Sequence, residues 1–342
     1  MADSTSSGAS TDPSQAPTDQ RSRWPGRRAL WALLPALGLC VSLGLMATRN
    51  SEVWQRELEG AFVLAREQGK PLHVHFSRSD VPLAQAMDET LALEPVRQIA
   101  QAHFINLRLD ARSQSELFRR FTGSAGALAS CIVDLDASGQ PDVVAVLPGY
   151  QDADRYATFL DSAVKTLPKL RKLRDGPGTD PAERLELGEL YAEQGSATRA
   201  RVVFEQLTRT AAHAAALEHL ARLDVEAGQT AQARSEFTEA RTLGSAQSLP
   251  RLILTEALIL SSERRVSDAV TLLTQGLPSM NLGNERLRSL LLLGQLEHEL
   301  THDESALISL EAVQRESPHS VWSRAADERI LHIKNPTPDH VH

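Results

Sequence analysis

The sequence predicts a chain of three unlike parts: an N-terminal transmembrane helix, an α/β domain and an all-α helical repeat array. Three observations carry that reading. The stretch Ala29–Ala47 contains no charged residue. Between 51 and 175, strand-like alternation and helical periodicity take turns, and from Pro181 onward strand patterns stop while small residues recur at a fixed spacing. With 342 residues, 42% of them apolar and 23% charged, there is material for about two globular domains. A net charge of −8 and an aromatic content of 4% offer neither a phosphate-binding surface nor stacking platforms, so nucleic acid is excluded as a partner.

Residues 1–28 begin with a Ser/Thr/Ala/Gly/Pro-rich tract with little to bury, and are expected to form a disordered tail. Arg21, Arg23, Arg27 and Arg28 then precede residues 29–47, a run long enough to cross a hydrocarbon core. Pro35 within it is acceptable in a transmembrane helix, where neighbouring groups satisfy the freed carbonyl. The long lead, and Leu45 where a cleavage site needs a small residue, favour an uncleaved anchor over a signal peptide. Leu39 before Cys40 likewise departs from a lipoprotein box. The arginine excess on the short side places the N-terminus in the cytoplasm. The expectation is a single-pass inner-membrane protein whose globular parts lie in the periplasm.

In residues 51–175, Leu58, Phe62, Leu64 and Ala65 mark a helix, and after Lys70-Pro71 the alternation of Leu72, Val74 and Phe76 marks a strand. Helices follow over Met87–Leu93 and Val96–Ala102, then a strand over Phe104–Leu109 and a helix over Glu116–Phe121. Strands over Ile132–Leu135 and Val143–Leu147 flank a turn at Asp136–Gly139, and a helix over Tyr156–Leu167 ends the series. This order, with a Trp-led first helix at Trp54, resembles the thioredoxin family over nearly all of 52–168. That resemblance implies a Trp-Cys-x-x-Cys segment after the first core strand. Here the chain reads Phe76-Ser77-Arg78-Ser79, and Val81 and Ala84 fall at the two cysteine positions. Ser130 stands where the resemblance implies a cis-proline. Disulfide exchange requires an attacking thiolate, and neither Val81 nor Ala84 supplies one. An alternative is a thiol-handling protein using Cys131, against which stands the simpler role of a small buried residue at a strand start. His73 and His75 share one face of their strand. As a metal pair they lack a third ligand, so packing against a covering helix is the stronger expectation.

Residues 176–342 open on Gly176-Pro177-Gly178, a boundary signal. Leu187-Gly188, Tyr191, Gly195, Ala200 and Phe204 are followed at a 33-residue interval by Leu220-Ala221, Gly228, Ala233 and Phe237. Two further units carry Ala257 with Ala269, and Gly294 with Ala306. In all four, the small residue of the first helix precedes the alanine of the second by 12 positions. The pattern resembles tetratricopeptide (TPR) repeats, about four of them, with a capping helix near Val321–Ile333. The resemblance implies a concave groove lined by the first helices that holds a partner segment. Carried over residue by residue, its groove positions are Leu185, Glu189, Ala192 and Glu193; then Glu218, Arg222, Val225 and Glu226; then Arg251, Leu254 and Leu258; and finally Arg288, Leu291, Gln295, His298 and Glu299.

One string points to an enzyme. His298-Glu299-Leu300-Thr301-His302 fits H-E-x-x-H, in which two histidines one helical turn apart bind zinc and the glutamate polarises water. The repeat register, however, ends the helix near Leu300 and places His302 in a turn. The expectation is therefore no catalytic residue, no metal and no cofactor. The function expected is a non-catalytic, membrane-anchored scaffold or accessory subunit that docks on, braces or assembles a membrane complex, possible settings being bacterial respiratory or photosynthetic complexes. Its partners are other membrane protein subunits or peptide segments, with residues 29–47 holding it to the bilayer. A zinc hydrolase acting through His298, Glu299 and His302 is the lesser alternative.

Overall fold

Alternating apolar side chains build the centre of a five-stranded sheet. The computed structural model describes residues 54–124, 126–176, 178–243, 249–318 and 320–335; the expected tail and membrane span lie outside them. Strands β1 (Trp54–Gln55), β2 (Leu72–Ser77), β3 (Ile105–Asp110), β4 (Ala129–Leu135) and β5 (Pro141–Pro148) take the order β1-β3-β2-β4-β5. The first three are parallel, and β4 and β5 are antiparallel. Helices α1 (Leu58–Gln68), α2 (Pro82–Ala92), α3 (Glu94–His103), α4 (Ser115–Thr122) and α5 (Ala153–Asp175) cover the two faces. Leu72, Val74 and Phe76 point to the face where Ala61 and Ala65 of α1 meet Phe118 and Phe121 of α4. His73 and His75 point to the other face, toward Phe104 and Tyr156.

Two expectations need correction here. Trp54 does not lead a helix. It forms the two-residue edge strand β1, paired with Asn106, with its ring against His73 and His75 and the Arg108 guanidinium over it. Helix α5 does not stop at Leu167 before Pro168. A proline removes one backbone bond and bends a helix, yet α5 continues to Asp175 because Leu170 and Leu173 are buried and Arg171 and Arg174 bind the buried Asp134 and Asp142.

The helical region consists of α6 (Pro181–Glu193), α7 (Ala197–Leu207), α8 (His213–Glu226), α9 (Thr230–Leu243), α10 (Leu249–Ser262), α11 (Val266–Gly276), α12 (Asn284–Glu299), α13 (Asp303–Glu316) and α14 (Val321–Lys334). The first eight form four antiparallel pairs. Every pair turns the same way. Ser196 N–H donates to Tyr191 O, Gln229 to Asp224, Arg265 to Leu260 and His302 to Glu297, each spanning five residues at 2.7–2.9 Å. This is the Schellman closure, which needs a left-handed residue just before the donor. Gly195, Gly228, Arg264 and Thr301 fill that place with φ of +74°, +75°, +64° and +61°. Each lies seven positions after the small residue of its unit. Those small residues let the paired helices touch: a Cβ on Gly188 would overlap the Phe204 ring, and one on Gly294 would approach Leu310 Cγ to 2.7 Å.

The two regions share one core. Leu167, Leu170 and Leu173 of α5 pack in a single cluster with Leu187, Tyr191, Phe204 and Leu220. The α6–α7 turn also covers the outer edge of β5: Val146 N–H donates to Gln194 O at 2.9 Å, and Ser196 Oγ donates to Val143 O at 2.6 Å. At this junction the buried Asp142 accepts from Tyr191 Oη at 2.5 Å and faces Arg174 and Arg199. At the far end of the stack, α14 returns to α5 through an Arg155–Glu328 ion pair and an Arg324 bond to Thr158 Oγ1 at 3.0 Å.

Candidate functional site: the inner face of the helical stack

The first helices of the four pairs enclose a cavity of about 660 Å³. Its wall runs from Ser162 of α5 to Trp322 of α14. Of the groove residues expected from sequence, Glu189, Glu193, Arg222, Glu226, Arg251 and Arg288 line it. A second hollow of about 230 Å³ adjoins it, with Leu258 and Gln295 in its wall and Arg222, Glu226 and Arg288 shared between the two.

Five expected groove residues lie elsewhere, among them Val225, packed with Ala221 and Phe237, and Glu299, the last residue of α12. Leu185 is half-buried against the core shared with the sheet. Glu218 is buried and accepts a hydrogen bond from Thr255 Oγ1 at 2.5 Å, so it joins α8 to α10 instead of facing a partner. His298 sits at the end of α12, its Nδ1 2.6 Å from Asp303 Oδ1 and its ring beside His332. The groove position in α8 belongs to His219, one residue after Glu218. Phe204 explains the shift, because the His219 imidazole stacks flat on its ring with centroids 4.6 Å apart. The α12 residues Asn284 and Glu285, and Trp322 of α14, also line the cavity, although sequence reasoning did not find them.

A chain of charged contacts ties the first helices together. Arg222 reaches Glu285 at 3.4 Å and donates to His219 Nδ1 at 2.8 Å. The other ring nitrogen of His219, Nε2, lies 3.0 Å from Glu189 Oε1 and 3.2 Å from the Arg251 guanidinium. Arg251 donates to the same carboxylate oxygen at 2.6 Å. Burial pushes the Glu189 carboxyl upward, but the His219 hydrogen bond and the nearby positive charge outweigh it and hold the group below its ordinary value. Glu193, Glu226 and Arg288 are different. Among the described residues they have no oppositely charged partner within ion-pair distance, and Arg288 instead lies over the Trp322 ring at 5.5 Å.

Among the described residues, the α/β region exposes no thiol. Val81 is the residue before α2, and Ala84 is buried in its first turn. Cys131 has no exposed surface, pairs across strands with Val74 and Val146, and has its thiol pushed far up by burial. Ser130 Oγ lies 2.5 Å from Tyr156 Oη and 2.9 Å from His75 Nδ1. His73 bridges Tyr156 Oη at 2.6 Å and Asn106 Oδ1 at 2.8 Å. His73 therefore packs against covering helix α5 through Tyr156, whereas His75 meets Ser130 of β4 and the Trp54 ring and leaves its buried Nε2 without a hydrogen-bond partner among the described residues. Between His298 and His302 the helix ends and Thr301 turns left-handed, so the two imidazoles do not share one helical face. Among the described residues no His/Cys/Asp/Glu cluster is arranged to hold a metal ion.

The strand order and directions define an α/β thioredoxin-like region, followed by an all-helical, repeat-like region. No family model matches the chain, and no curated protein matches it. A solved structure that does match is the solution structure of a thioredoxin from Thermus thermophilus, at 21% identity and a TM-score of 0.30, covering 33% of this chain and 87% of that one. Among the described residues no helix is long and apolar enough to cross a membrane.

Proposed function

We propose that the protein is a non-catalytic, membrane-anchored scaffold or accessory subunit, whose four helix pairs act as tetratricopeptide-like repeats holding a segment of a neighbouring membrane protein. The observation that carries this reading is the inner-face cavity. Its scaffold is braced by the Glu285–Arg222–His219–Glu189–Arg251 chain, while Glu193, Glu226 and Arg288 keep charge available for a partner. Residues 29–47 serve as the anchor, with the globular regions on the periplasmic side, so that tethering raises the groove's effective concentration for proteins in the same bilayer. The thioredoxin-like region is a rigid base in this reading. A thiol enzyme working through Cys131 is disfavoured because its sulfur has no exposed surface, and replacing it by serine is expected to leave function in cells unchanged. Measurable insulin reduction by the purified protein would revive that alternative. The direct test is purification in mild detergent from native membranes. Co-purification with membrane subunits is expected, and a protein that runs alone as a monomer contradicts the proposal.

A further inference from the structure

The smaller hollow between α10, α12 and α14 has an apolar floor and an arginine rim. Leu258 and Leu292 are only partly covered there, over the buried Leu254 and Leu291. Arg288 lies over Trp322, and Arg329 bonds only to the Ala325 carbonyl of its own helix at 3.2 Å and to Gln295 Oε1 at 3.5 Å. Among the described residues neither guanidinium has a carboxylate partner, although residues 176–342 carry 24 acidic side chains against 16 basic ones. Arg222, the third arginine of the wall, is already held by Glu285, and Glu226 is the one acidic residue there. In a strongly acidic region, the hollow thus places two arginines without a carboxylate partner, against one acidic residue, beside half-buried leucine surface.

We propose that this hollow takes an acidic, aliphatic peptide segment: a leucine-like side chain seated between Leu258 and Leu292, with a neighbouring carboxylate received by Arg288 and Arg329. The inference rests on the docking role of the inner face and names the chemistry of its partner. Burial of the aliphatic group supplies affinity, and arginine's fork recognises a carboxylate in a fixed geometry. The open charge of Glu226 sets the direction, since it repels an acid placed at its end of the hollow.

The test uses the full chain in detergent, immobilised and panned against a random dodecapeptide library displayed on phage. Selected sequences are expected to pair Leu, Ile or Met with an adjacent Asp or Glu. A selected peptide is expected to bind at least tenfold more tightly than its Lys-for-Glu counterpart, and more weakly as salt is raised. Arg288→Glu is expected to reverse that charge preference and Arg329→Gln to weaken it, each with an unchanged circular dichroism spectrum. Basic sequences, or a charge preference that Arg288→Glu leaves intact, overturn the proposal while leaving the docking role standing. Selection that succeeds only after removal of residues 336–342 assigns the hollow to the chain's own tail and overturns it too. Self-association abolished by Arg288→Glu, with no peptide selected, assigns it to a second copy with the same result. Selection of nothing by any form of the protein also overturns it, and the docking role is then judged by co-purification.

Discussion

His73 and His75 are the residues whose chemistry their surroundings change most clearly. Burial, against a smaller opposing effect from the Asn106 hydrogen bond, lowers His73 to about 4. His75 is also held well below the ordinary value, first by burial and then by the charges of His73 and Arg108. The groups facing the pair are Asn106, Ser130, Tyr156, Trp54 and Arg108, none of them anionic; the nearest carboxylate in this network, Asp88, is engaged by Arg108. In the unfolded chain each histidine takes up its proton near pH 6.5, whereas in the fold it resists. Stability is therefore complete above pH 6.5 and is lost as the pH falls toward 4, by roughly 3 kcal/mol for His73 alone. Their NMR ring resonances are expected to stay flat between pH 8 and pH 5. A titration midpoint near 6.5 for either ring contradicts the buried network. The histidines' shared face could be read from alternation alone. Their partners could not, because Asn106, Ser130 and Tyr156 come from distant strands and a helix that only the fold brings together.

At the scale of elements, the repeat is defined by two features of each helix pair: a small residue at the helix contact and a left-handed residue in the turn. The 12-residue spacing made the pairs legible, since glycine and alanine at those points have few other uses. The turn in the last two units was less legible because Arg264 and Thr301 occupy a position that favours glycine. A side chain in that conformation costs roughly 1–2 kcal/mol. Thr301→Gly is thus expected to raise stability toward urea by about 1 kcal/mol, partly offset by glycine's greater freedom when unfolded. Gly188→Ala is expected to lower it by about 1–3 kcal/mol through overlap with Phe204. Opposite signs in one denaturation series check the repeat geometry, and a neutral Gly188→Ala contradicts it. The edge strand β1 and the later half of α5 escaped sequence reasoning for related reasons. Two residues are too few to show alternation, and a proline inside a helix is normally a stop signal that only tertiary burial overrides. His219 escaped because the carried-over register named Glu218, whereas His219, three residues before Arg222, shares the cavity face of α8 with Arg222 and Glu226 and stacks on Phe204.

Over the whole molecule, the sheet and helical stack share a core, and the last helix meets α5 through Arg155–Glu328 and Arg324–Thr158. Exposed ion pairs contribute about 0–1 kcal/mol, so this contact is a weak clasp beside the buried junction at Asp142. Glu328→Arg is expected to leave the urea midpoint almost unchanged while increasing the radius of gyration seen by small-angle scattering, an effect mimicked by high salt. An unchanged radius in both conditions means that the clasp does not hold the stack closed. What the architecture offers is a rigid base and an inner face with unsatisfied charge; docking is the function proposed for it. The most direct test places a photo-crosslinking amino acid at Glu193, Glu226 or Arg288 on that face, and at the exposed Ile308 of α13 as control, in cells making the full chain. The account predicts one discrete adduct with a membrane protein from the inner-face positions and none from Ile308. Adducts of equal yield at all four positions, or none at any, would contradict it.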